Sequence, residues 1–162
     1  MALAAAGKLG AAAVVDYLDR KGWRYELIEH EPTVRAVDEA SASGVPPERE
    51  AKTILLTGAS GRLLATIPGS ERLDVRKARE LQGDPHLRLA TEDEMAARFP
   101  LFDVGALPPI GPLMSAPQII DRRLTDHSRI VASAGDHSHS LLLIPAELVR
   151  RTASRVADIC ED

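Results

Sequence analysis

Apolar positions recur along this chain at two periods, and the switches between them mark out its elements. Val14, Val15 and Leu18 fall on one helical face, and Gly22 after Arg20 and Lys21 supplies a C-terminal stop. RYELIE (24–29) predicts a short strand, RAVDEASASG a short helix ending at Gly44, and VPPERE a turn or a new helix start. AKTILLT and RLLATIP read as strands joined through GASG, a Gly-rich link that suits a β-hairpin. Asp74 is placed to N-cap a helix VRKARELQ closed by Gly83. HLRLA predicts another short strand, and Thr91 with Glu94 forms a capping-box pattern opening TEDEMAARF.

From Val104 to Pro117 the texture changes, because Pro108, Pro109, Pro112 and Pro117 exclude a helix or a central strand. RIVASAG and SLLLIP predict two more strands, and PAELVRRTASRVADI a closing helix with Pro145 near its first turn. Strands and helices alternate without a strict βαβ rhythm. That pattern predicts an α/β chain of the mixed α+β kind, a mixed sheet with packed helices rather than a doubly wound one. The 162 residues suit a single domain spanning 1–162.

Composition narrows the chemistry. Aromatics make up only 3% of the chain, so the core is aliphatic and base-stacking platforms are disfavoured. A formal net charge of −4 argues against DNA and general nucleic-acid binding, while leaving room for a local basic patch. One cysteine, Cys160, permits no intramolecular disulfide and no cysteine cluster for zinc. The apolar run MALAAAGKLGAAAVV is short for a signal peptide and broken by Lys8. No stretch approaches the ~18 apolar residues of a membrane span, so a soluble, cytoplasmic protein without a membrane partner is expected.

Three stretches carry candidate chemistry. In AKTILLTG, Lys52 shares the alternating face of Ile54 and Leu56. An ammonium on a buried face requires a partner or a ligand; the simpler reading has Lys52 reaching back to water from the start of the strand. In GALPPIG, Gly105 through Gly111, prolines stiffen a loop whose amides suit a polarised carbonyl, although an ordinary surface crossing has the same composition. In SAGDHSHS, His137 and His139 alternate beside Asp136. That segment admits a metal site with His127 or His30 as third ligand, a general base, or a plain polar turn. His30 itself, before Pro32, either faces a pocket or is solvated. Arg72, Arg76, Lys77 and Arg79 form either a solvated helix surface or a phosphate contact.

In order along the chain, EHEPT, AKTILL, RLLATIPGSERLDVRKARELQG, RLATEDEMAARFP, VGALPPIG and IVASAGDH resemble the YbaK/prolyl-tRNA-synthetase-associated family, free-standing relatives of the editing insertion in bacterial prolyl-tRNA synthetases. The resemblance implies a mixed, partly barrel-like central sheet surrounded by helices and hydrolysis of the ester joining a wrong amino acid to tRNA, with no cofactor. It assigns the family lysine to Lys52, the GxxxP loop to Gly105 through Pro109, and a histidine after an Ala-Gly turn to His137. Around the substrate it implies His30, Thr53, Ala106 and Leu107, with Pro108, Gly111, Gly135 and His139. Arg72, Arg76 and Lys77 are the implied tRNA contacts. The implied partners are the acceptor end of an aminoacyl-tRNA and a synthetase. The family's cysteine-removing type carries an aromatic near Ile28 and an acid near Ser140, and this chain departs from it at both, so Ala, Ser or another small side chain is expected equally with Cys. Two alternatives stand beside this: a module that binds a tRNA end without turnover, and a metal-dependent hydrolase using His137 and His139.

Overall fold

The computed structural model describes residues 9–32 and 44–162. The helix expected over RAVDEASASG lies outside them, apart from its terminal Gly44. Helix α1, Leu9–Lys21, buries Ala11, Val14 and Leu18 and stops at Gly22, whose φ is +71°. Val15 stays half-buried at the margin of that stripe.

Eight strands form one mixed sheet. They are β1 (Glu26–Glu29), β2 (Glu50–Gly58), β3 (Gly61–Pro68), β4 (Arg88–Leu89), β5 (Gln118–Asp121), β6 (Ile130–Ser133), β7 (His139–Leu143) and β8 (Arg155–Ala157). The order is β1-β7-β6-β2-β3-β5-β8, with β4 pairing the far end of β2. β2 lies parallel to β6, β3 to β5 and β5 to β8; the other pairs are antiparallel. The mixed sheet expected from the alternation is what forms, and its two ends, β1 and β8, are not hydrogen-bonded to each other among the described residues.

The β2–β3 hairpin is tighter than GASG suggested: Gly58 pairs with Gly61, leaving only Ala59 and Ser60 to turn. Helix α2, Val75–Gln82, is capped by the Asp74 carboxylate on the Arg76 and Lys77 amides and ends at Gly83. Helix α3, Glu92–Arg98, opens on the capping box of Thr91 and Glu94, as its sequence predicts. Helix α4, Pro145–Thr152, is shorter than expected. Ala153 turns left-handed at φ 51°, and the chain re-enters the sheet as β8 beside β5. Both β5 and β8 escape sequence reading, since each is short and lies against a proline loop or a helix end. The proline segment is not wholly irregular either; Gly111–Met114 makes one 3-10 turn with Pro112 at its start.

Strand alternation divides the molecule into two layers. One sheet face presents Ala51, Ile120, Ala132 and Leu141 to Val14 and Leu18 of α1 and Leu148 of α4, and Leu55 and Leu64 to Leu107 and Met114 of the proline loop. The other presents Leu56, Leu63, Ala65 and Ile67 to Ala78 of α2, Leu87 and the C-terminal Ile159 and Cys160. Burying apolar area on both faces excludes water from most of the sheet, so polar side chains left among these strands stand out.

Candidate active site

Lys52 is such a side chain. Its cross-strand partner on β3 is Ile67, fully buried, and it follows Ala51, which pairs with Ala132 of β6. Ser133 follows Ala132 in the same parallel register, Ser133 pairs with Ser140 of β7, and Ser140 pairs with Ile28 of β1. Because side chains alternate with period two, Ile67, Lys52, Ser133, Ser140 and Ile28 share one face as a row across five strands. The Lys52 ammonium donates to the Glu71 carbonyl at 3.3 Å. Burial holds its pKa below the usual 10.5, and the Arg72 guanidinium pushes it the same way. Among the described residues the Lys52 ammonium thus has one carbonyl partner and a neighbouring cation.

His30 closes the β7 end of the row. Its Nδ1 lies 2.8 Å from the Glu31 carbonyl and its Nε2 2.8 Å from the Ser140 hydroxyl. A carbonyl only accepts, so Nδ1 carries a hydrogen, and in that tautomer Nε2 accepts from the Ser140 hydroxyl. The His30 amide also donates to the Ser138 carbonyl, fixing the segment after β1 onto the β6–β7 turn.

That turn holds the remaining expected residues. Gly135 has φ +100°, and a Cβ on the facing Gly10 would stand 2.6 Å from its carbonyl, so α1 packs directly on the turn. Asp103 joins turn to loop: its amide donates to the Gly135 carbonyl, its carboxylate accepts from the His137 amide, and its carbonyl accepts from Ala106. Gly105, exposed and at φ +86°, lies two residues beyond Asp103, whose carboxylate holds the His137 amide on the turn between β6 and β7.

The rest of the loop serves packing. Ala106 and Leu107 are 1% and 3% exposed, and Pro108 through Gly111 are buried too. Gln118 of β5 ties the loop down, donating to the Pro109 carbonyl at 2.9 Å and the Thr66 hydroxyl at 3.0 Å while accepting from the Gly111 amide at 2.8 Å. Thr53 meets Thr66 at 3.3 Å on that same face, opposite to Lys52. Thr53 is half-buried and Ala106, Leu107, Pro108 and Gly111 are buried, and together they form a scaffold beneath the exposed Gly105. His139 is likewise internal, 1% exposed, with Nδ1 against Asp136 at 2.9 Å and Nε2 against Glu29 at 3.2 Å. Lys77 is spent on Asp158, the Cys160 carbonyl and Asp162. Arg72 and Arg76 remain exposed, near Glu161 and Asp74. Among the described residues, no three His, Cys, Asp or Glu side chains form a group that could hold a metal.

Sequence reasoning missed Asp103, Gln118 and Ser133. Asp103 had a faint signal, an Asp two residues before a glycine; Gln118 had none while β5 went unrecognised.

The eight-stranded mixed sheet thus carries a half-buried lysine, hydroxyls and an imidazole along one face, with the Gly105 loop tied to the β6–β7 turn through Asp103. The model of the aminoacyl-tRNA editing domain matches residues 30–151, and the chain belongs to that family, whose reaction is hydrolysis of the aminoacyl-tRNA ester. Over 136 residues it is 26% identical to EbsC of Enterococcus faecalis, proposed as a Cys-tRNA(Pro)/Cys-tRNA(Cys) deacylase, covering 83% of this chain and 82% of that protein. Over 98 residues, 60% of this chain, it is 34% identical to 16% of the proline–tRNA ligase of Thermotoga neapolitana. A crystal structure described as a proposed trans-editing enzyme for prolyl tRNA synthetase superposes with a TM-score of 0.85 at 30% identity, over 94% of this chain and 98% of that one.

Proposed function

We propose that this protein is a trans-acting deacylase that hydrolyses the ester of a mischarged tRNA carrying a small amino acid, Ala, Cys or Ser, on tRNA(Pro) or a related tRNA. The observation that carries the reading is the row across the sheet, in which a partly desolvated Lys52 shares one face with Ser133 and with Ser140, itself bonded to His30. Similarity to a free-standing deacylase and to the editing part of proline–tRNA ligases supports it. A small side chain fits against Ile28, the half-buried apolar member of the row.

In this reading Lys52 draws in the terminal adenosine or its phosphate and polarises the ester carbonyl, while the Gly105 amide stabilises the developing oxyanion. Water adds to the carbonyl carbon; collapse of the tetrahedral intermediate breaks the bond to the ribose oxygen, which takes a proton and leaves with the tRNA. The neighbouring ribose hydroxyl assists the proton transfer. Each well-aimed donor contributes a factor of about 10²–10³. His137, joined to the loop through Asp103, borders the same space.

The test is hydrolysis of tRNA(Pro) charged with Ala, Cys, Ser or Thr, by wild type and Lys52→Ala, with and without chelator. Turnover of one ester that depends on Lys52 and ignores chelator is expected. Tight binding of tRNA without turnover of any member would replace this reading by a non-catalytic binding module acting with a synthetase.

A further inference from the structure

A second polar concavity lies at the tip of the β2–β3 hairpin. Its volume is about 480 Å³, and Arg62, Arg98, Ser60, Ser115, Gln82 and Asp84 are among its lining. Arg62 pairs with Thr57, five residues along β2 from Lys52 and on the opposite sheet face, so the two backbone positions lie about 17 Å apart at ~3.3 Å per residue.

Its two cations lack the carboxylate neighbour that four other surface cations have. Arg72, Arg76 and Arg88 each stand beside a carboxylate, and Lys77 is held by two. Arg62 instead lies over the Phe99 ring at 5.4 Å, and Arg98 is exposed in the last turn of α3; neither makes an ion pair among the described residues. Asp84, the acidic member of the lining, is 2% exposed and turned inward. Its carboxylate accepts from the Ser60 amide and hydroxyl and from the His86 amide. In a chain of net charge −4, two unpaired guanidiniums converging on one groove mark where a polyanion is tolerated.

We infer that this groove binds backbone phosphates of the tRNA acceptor arm, upstream of the ester held at Lys52. The inference rests on the deacylase reading for the position of the ester. Arg is suited to the role because its planar fork meets phosphate oxygens in pairs, and stacking on Phe99 holds the Arg62 fork in place. Ser115, exposed, and Gln82 add neutral donors beside the two charges. The spacing makes the contact selective for length: a ligand ending within a nucleotide or two of the ester reaches Lys52 without touching the groove.

The experiment is a binding titration of uncharged tRNA(Pro) transcript against NaCl concentration, for wild type, Arg98→Gln and the double variant Arg62→Gln/Arg98→Gln. Loss of two phosphate contacts lowers affinity roughly tenfold at moderate salt and flattens the log K–log[salt] slope by about 1.4–1.8. Arg98→Gln, which removes no core packing, should account for about half of that flattening. Hydrolysis of a short aminoacylated CCA oligonucleotide should stay at the wild-type rate in both variants. An unchanged salt slope, or no tRNA binding by wild type, overturns the inference. So does inorganic phosphate that competes as well as tRNA, since the groove would then be a small-anion site. If tRNA affinity depends on both arginines but wild type hydrolyses neither long nor short esters, the groove stands and the deacylase reading falls.

Discussion

Replacing Gln118 by Ala tests whether the proline loop is a scaffold held from below. Gln118 is 4% exposed and uses both ends of its amide, making three hydrogen bonds of 2.8–3.0 Å to Gly111, Pro109 and Thr66. The truncation leaves a buried N–H and a buried C=O unpaired, and Thr66 keeps only its 3.3 Å contact with Thr53. Each stranded group costs about 1–3 kcal/mol. A water admitted into the vacated space recovers part of this, so the net loss is about 2–5 kcal/mol. Total stabilities run to about 5–15 kcal/mol, so the variant should still fold, with a Tm lower by roughly 5–15 °C. Thr53→Val, which removes only the longer contact, should cost under about 1 kcal/mol. Thermal and urea unfolding of both variants, with ester hydrolysis measured well below the lowered Tm, is the assay. A Gln118→Ala variant within about 2 °C of wild type would refute the accounting. So would one that loses stability but keeps full kcat, because a slack loop must misplace Gly105.

Lys52→Met should abolish at least ~10²-fold of the hydrolysis while leaving Tm unchanged or raised, since a half-buried ammonium with a single carbonyl partner is removed; a lowered Tm in differential scanning would contradict this. The Lys52 pKa is lowered, so activity that needs its charge is present at neutral pH and falls as pH rises through a value below 10.5; a pH–rate profile flat to pH 11 would exclude the charge from the chemistry. Burial, with Asp121 beside it, pushes the Cys160 thiol up to about 12, so a thiol reagent at pH 8 should label native protein far more slowly than urea-unfolded protein. The Arg88 guanidinium and the Thr91 amide hold the Glu94 carboxyl at about 2, below its usual 4.5. Its stabilisation of the α3 cap is therefore complete above pH 4.5 and lost only as pH falls through about 2, which a carboxyl NMR titration reads directly.

Local signals in the sequence determined the pieces. Asp74 and Gly83 bound α2, Thr91 and Glu94 open α3, and alternation in AKTILLT and RLLATIP gives a hairpin, because caps, turns and period-two burial act over a few residues. The face of Lys52 was legible for the same reason. What lines up beside that face was not. The row from Ile67 to Ile28 joins strands far apart in the chain, and its register is fixed by which faces the helices cover. Nor could GALPPIG disclose that only Gly105 is exposed, because the burial of Ala106 through Gly111 depends on Gln118 reaching up from a strand that pattern alone did not reveal. Lys77 and Arg62 carry the same charge in the sequence. The C-terminal carboxylates close around one and an aromatic ring supports the other, and only the packed chain decides which cation stays open to a ligand.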